Sequence, residues 1–538
     1  MLLLHKSESL PMEPATLQPR IRILIGIVLL VYVLGIQLIG VQRPFLGHYA
    51  SYQGTVMASI ARNMVRENFS DVFLPKTDSM LEGQRSLHLN QFPLPSLLTA
   101  CGVKFVGGTY EFWGRFQAII FNLFTIFLIF SIAKRFFGEA IGGISAAIYA
   151  LSPLTIVYGQ SLMSEPSSLF FFFLSLYVLV GSGRWSFWNL ILSALLFSVA
   201  LAGRVHWVLF LPFFFILVWR AQEKGRLTHI VVFGSFALFL PVIWYAHTYF
   251  ASLHAPHVHT NLFLQAATSQ KGSAFLLHAD LYRALALTLG KSMMALVMVP
   301  FFFMGLRPAS RCPQGRFCLL AGIGMILLMT VLSPEKLIRH DFYLYPVLPF
   351  LAVITAFGVV AFLRYFSRYS GFAASGLLVV FWVASAFFCY GPIFRVSEDE
   401  KAMFRLAEWI RERTPAESML VIGGGSPVLA FYVDRPSSSI VPQAIGQKLS
   451  PYLRMTAFTG RDKASLERLE KASQSPIDWL EYLRSQGAAY FVVPEPHDFQ
   501  AFPEFLRYLA ENYTNISDDP QHYLFYRLKT ASPANTTT

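Results

Sequence analysis

The chain has 538 residues, of which 54% are hydrophobic and only 14% charged, with 51 Phe and a mean hydropathy of +0.49. Soluble domains carry about a quarter charged residues, so this composition excludes an ordinary soluble enzyme and predicts a polytopic α-helical membrane protein. The net charge of +12 is then read by where the cations fall around apolar runs, not as a nucleic-acid signal.

The first apolar run, residues 21–40, is long enough to cross the hydrocarbon core and lacks a small-residue cleavage site, so it reads as a retained anchor. Arg20 and Arg22 precede it, which predicts a cytoplasmic N-terminus. A long polar loop, 41–95, follows on the outer side. Within it Val56, Ile60 and Met64 recur at helical spacing, Asp78 and Gln91 stand among basic residues, and Pro75, Pro93 and Pro95 mark the return to the membrane. Loops this long and polar beside a bilayer are usually functional. Residues 96–107 are apolar but too short to span.

Further spans are expected at 112–133, 141–159 and 167–185, at two across 187–219, and at 229–250, 283–305, 317–333, 343–363 and 372–393, about eleven in all. Lys134 and Arg135, the arginines of GLRPASRCPQGR, and Arg364 and Arg368 fall on one side, the predicted cytoplasmic side. An odd number of spans leaves the C-terminus outside.

From Ser397 the composition changes to alternating amphipathic helices and short apolar strands, an α/β pattern. The expected domains are therefore a transmembrane domain, 1–396, and an extracytoplasmic α/β domain, 397–538. The GGG at 423–425 lacks nucleotide-loop spacing and reads as a strand-to-helix turn. Cys101, Cys312, Cys318 and Cys389 are scattered and fit neither a disulfide framework nor a zinc ribbon. His254, His257 and His259 form an HxxHxH pattern, a weak metal signal in a loop. No metal and no other cofactor is expected.

Four polar groups converge on the outer face: the first loop, SLMSEP with Glu165, AGRVH with Arg204 and His206, and EKLIRHD with Lys336, Arg339 and His340. Ionisable groups at membrane depth are costly and mark a substrate path. These cations suit a lipid phosphate, which arginine grips bidentately. Arg339 and Lys336 also suit interfacial anchoring by snorkelling, and Glu165 suits an acid at a helix N-terminus.

The motifs also carry a family resemblance. HYASYQGTVMASIARNM, FLPKTD and QFPLP resemble the first outer loop of bacterial GT-C membrane glycosyltransferases, in the branch of protein O-mannosyltransferases and aminoarabinose transferases (glycosyltransferase family 39). The span opening with Trp113 and Arg115, the ALSPLTIVYGQSLMSEP turn that puts Glu165 on an acidic position, and RHDFYLYPVLPF with Tyr343 extend the likeness over residues 20–360. The resemblance implies the GT-C fold and an inverting hexosyl or pentosyl transferase at the outer face of the cytoplasmic membrane. It implies a polyprenyl-phosphate sugar donor and a lipid, glycan or protein acceptor. Relatives carry first-loop acids where this chain has Tyr49 and Gln91, so His48, Asp78 or Glu165 would supply the catalytic group. Gln91, Arg115, Arg204, His206, Lys336, Arg339, His340 and Tyr343 would bind substrate. The alternative is a non-catalytic protein that keeps the fold to bind lipid phosphate or assist assembly.

Overall fold

A computed structural model of the chain describes residues 34–46, 49–181, 186–221, 225–255, 258–261, 278–365, 370–394, 396–441 and 463–528. The chain divides into two compact units. The first comprises Met1–Arg43, Glu111–Trp244 and Lys271–Arg395; the second comprises Pro44–Tyr110, Tyr245–Gln270 and Val396–Thr538. The first outer loop thus groups with the C-terminal region and not, as its place in the sequence suggests, with the transmembrane part.

The first unit is helical and apolar. Among the described residues four helices have the length and hydropathy to cross a membrane: Tyr110–Phe137, Arg226–His254, Pro313–Leu332 and Asp341–Arg364. Shorter apolar helices accompany them, including Glu139–Leu151, Ser164–Val180, Phe187–Gly203 and Val205–Ala221. Several of the predicted spans therefore fall on apolar helices among the described residues, and some of these are broken. The one expected at 141–159 divides at Ser152–Pro153, where proline has no N–H to donate. The one expected at 283–305 runs from a helix into a π-helical turn, and then through Ala295 and Leu296, both with positive φ. Most of the N-terminal span lies outside the described residues.

Small residues set the helix packing. Gly305, in Val299–Ser310, and Gly358, in Leu348–Tyr365, face each other so closely that a Cβ on either would overlap the other helix's backbone, at Ile354 O and Phe301 O respectively. Ser175 and Ser193 donate reciprocally to each other's carbonyl oxygens at 2.7 and 2.9 Å, which clamps Ser164–Gly181 to Phe187–Gly203.

The second unit is built on an eight-stranded sheet of order β3-β2-β1-β5-β4-β6-β8-β7. The strands are β1 Lys76–Leu81, β2 Gln84–Leu89, β3 Val258–Asn261, β4 Met419–Gly423, β5 Ser437–Ile440, β6 Ala488–Val493, β7 Thr514–Asn515 and β8 Leu524–Arg527. The helices and strands expected after Ser397 are found, and Ser397 with Glu400 forms a full capping box on Glu398–Arg413. The hairpin β1–β2 was not expected. It joins the sheet through the parallel pairing Ser79↔Ser437, and Leu81 enters the core with Val421, Ile440, Phe491 and Leu480. The GGG is the expected turn: Gly424 and Gly425 have φ of +80° and +72°, and Ser426 caps Pro427–Val433.

Candidate active site

In the first unit Glu165 sits in the first turn of Ser164–Gly181, where the helix dipole favours an acid, and is 1% exposed. Phe187–Gly203 approaches this turn at Gly203, where a Cβ would collide with Ser168 Oγ. The next residue, Arg204, leaves the helix in an extended conformation (φ −149°, ψ 99°). Its Nη2 reaches Glu165 Oε1 at 2.5 Å.

The short helix Pro334–Arg339 and the 3₁₀ segment Asp341–Val347 bring the second group. Arg204 lies over the Phe342 ring at 5.5 Å, and Lys336 Nζ over the Tyr343 ring at 5.5 Å. The His206 and Tyr343 rings are 5.2 Å apart, as are the His340 and Phe342 rings. Tyr158 donates to Asp341 Oδ1 at 2.5 Å, and its ring meets Phe342 edge-on. Burial lowers the Lys336 pKa below 10.5, and the charge of Arg204 adds to this while Glu335 opposes it. Burial and the charge of Arg339 lower the His340 pKa below 6.5, against Asp341.

Polar atoms are concentrated here without protein partners. Among the described residues Ser164 Oγ, Glu165 Oε2, Ser168 Oγ, His206 Nε2 and Trp207 Nε1 are buried and make no hydrogen bond. Buried polar atoms in folded proteins nearly always bond something, and here they gather on two adjoining segments. Arg204 on a buried carboxylate, with Lys336 near enough to Arg204 for their charges to interact and aromatic rings beneath both, can hold an anion and accept a proton beside it.

Glu165, Arg204, His206, Lys336, His340 and Tyr343, all singled out from the sequence, thus lie close together. Arg339 points elsewhere: it is exposed and pairs with Glu335 of its own helix at 2.9 Å. Arg115 is buried and donates to the carbonyls of Val41 and Arg43. Gln91 is buried in the second unit, its Nε2 3.4 Å from Met57 Sδ. Asp78 is buried there too, held by Arg62 at 2.5 Å, Arg85 at 3.1 Å and Asn63 at 3.2 Å. His48 lies outside the described residues, as does His257. His254 bonds the Phe250 carbonyl within its own helix. Three ligand types do approach one another at Glu495, His497 and Asp498, on the surface of the second unit. Sequence reading missed Tyr158 and Asp341; the tyrosine beside the SP turn and the acid beside His340 were the available signals.

Known proteins share this architecture. Residues 90–245 match the family model for dolichyl-phosphate-mannose-protein mannosyltransferase. No curated protein matches the chain by sequence. A crystal structure of ArnT from Cupriavidus metallidurans bound to undecaprenyl phosphate superposes with a TM-score of 0.65 at 14% identity, over 95% of this chain and 99% of that one. AglB from Archaeoglobus fulgidus, an archaeal oligosaccharyltransferase in complex with an inhibitory peptide and a dolichol-phosphate, gives 0.53 at 14% identity, over 96% and 75%. The arabinofuranosyltransferase AftD from Mycobacteria gives 0.51 at 16% identity, over 97% and 40%. These are GT-C glycosyltransferases; the resemblance read from the motifs is borne out, and the chain has their fold.

Proposed function

We propose that this GT-C membrane protein transfers a sugar from a polyprenyl-phosphate donor to the hydroxyl of a lipid, glycan or protein acceptor. The observation that carries the reading is the Glu165–Arg204 pair, 2.5 Å apart and sunk among apolar helices beside Lys336. Arg204 and Lys336 bind the donor phosphate, with His340 and His206 beside them as hydrogen-bonding groups. The acceptor oxygen attacks the anomeric carbon from the face opposite the phosphate. The bond from carbon to phosphate oxygen breaks, and its electron pair leaves with polyprenyl phosphate, whose charge the cations stabilise. The acceptor proton passes to Glu165, whose Oε2 has no bond to give up. In-line displacement inverts the anomeric centre. The cations supply the positive charge, so the mechanism calls for no metal.

In this reading Asp78 is structural, since its oxygens are engaged by Arg62, Arg85 and Asn63. The proposed setting is the cytoplasmic membrane, with the N-terminus inside and residues 397–538 outside, as the basic loops imply. The second reading, a non-catalytic lipid-phosphate binder, draws on Tyr49 and Gln91 standing where relatives carry acids. Native mass spectrometry of the purified chain with polyprenyl phosphate tests the part common to both. The wild type should bind it and Arg204→Met with Lys336→Met should not. Equal binding by the two would remove the phosphate site.

A further inference from the structure

We propose that the membrane unit binds an anionic phospholipid at the end of its helices remote from Glu165, with an acyl chain in an apolar cleft and the headgroup on cations at its rim. The cleft is lined by Ile132, Phe136, Phe173, Leu217 and Phe350, with Arg220 and Gln314 completing its wall. Phe173 and Val180, another lining residue, follow Glu165 along Ser164–Gly181 by about 12 and 22 Å at the helical rise. Leu217 and Arg220 stand near the end of Leu211–Ala221, well beyond Arg204. This is a different place from the candidate active site.

Its wall is apolar except at one end. A space lined by phenylalanine and leucine gives water no hydrogen bonds, and in a bilayer hydrocarbon fills it. The polar end is basic. Lys134 and Arg135 lie in sequence between the lining residues Ala133 and Phe136, Arg316 lies between Gln314 and Phe317, and Arg311 precedes them. All four are exposed, as is Arg220. Glu139 is the one acid in the described residues 129–139, 211–221 and 299–319. The helix also departs from α geometry just past the lining residue Cys318, in the π-helical turn Leu320–Gly324, a distortion that often accompanies binding sites. Charge complementarity selects an anionic headgroup over a zwitterionic one, with each cation contributing about fivefold in affinity. It also selects a bilayer phospholipid over the tail of a polyprenyl donor, whose phosphate would be held at the other end.

The test uses the full chain in phosphatidylcholine nanodiscs titrated with phosphatidylglycerol, with retained lipid identified by native mass spectrometry. The wild type should retain phosphatidylglycerol selectively and gain thermal stability from it. Arg220→Gln with Arg316→Gln, both at exposed positions, should weaken retention by about 25-fold. Leu217→Trp should fill the cleft and abolish retention. Equal retention of both phospholipids, unchanged retention in the arginine variant, or polyprenyl phosphate in the cleft would each overturn the proposal. It rests on the membrane unit and not on sugar transfer, so a chain without transferase activity would leave it standing.

Discussion

Arg204 Nη2 lies 2.5 Å from Glu165 Oε1, and the carboxylate is 1% exposed. Removing one partner of a buried pair strands the other charge and costs about 3–5 kcal/mol. Arg204→Met should therefore destabilise the protein more than the double variant Glu165→Gln with Arg204→Met. Thermal unfolding in detergent measures this, and equal losses would mean that the pair is not coupled.

The proposed phosphate role of Lys336 predicts how donor binding changes on the alkaline side. Its pKa is lowered below 10.5 by burial and by Arg204, so its charge is lost sooner than usual as pH rises. Polyprenyl-phosphate affinity should fall as pH rises through that lowered value. Lys336→Met should flatten the pH dependence while weakening binding at neutral pH, as measured by equilibrium binding between about pH 7 and 10.

Asp78 and Glu165 should separate cleanly. Asp78→Ala leaves Arg62 and Arg85 short of a buried partner and should cost about 3 kcal/mol, lowering the yield of folded protein. Turnover per folded molecule should remain close to wild type. A loss of turnover without loss of fold would return Asp78 to the catalytic group.

The close approach of Gly305 to Gly358 predicts a third kind of failure. A methyl group at either position overlaps the facing helix backbone, so Gly358→Ala should cost at least about 1–3 kcal/mol by overpacking. Differential scanning fluorimetry checks it. An unchanged midpoint would mean that these helices separate easily.

The site was legible where polar residues interrupt apolar runs. Glu165, Arg204, Lys336 and His340 stand out because charge at membrane depth is expensive. Arg339 looked equivalent, yet Glu335 four residues earlier claims it, a pairing that helical spacing alone contains. The Tyr158–Asp341 bond joins residues 183 positions apart, beyond the reach of any local pattern. The β1–β2 hairpin was hidden because KTDSML and QRSLHL alternate weakly; their strand identity comes from pairing with β5 and β3, far along the chain. The break within the span expected at 141–159 was hidden for a related reason. Hydropathy records apolar length but not the break at Ser152–Pro153.

Sugar transfer with Glu165 as base can be measured by supplying the purified full chain, in proteoliposomes, with a panel of polyprenyl-phosphate sugars and extracted envelope acceptors, and following donor-dependent labelling. The wild type should transfer sugar. Glu165→Gln should lower turnover by about two to four orders of magnitude, with the variant folded and still binding polyprenyl phosphate. Folded wild-type protein that binds the lipid phosphate but transfers no sugar, or a Glu165→Gln protein with full turnover, would refute this assignment.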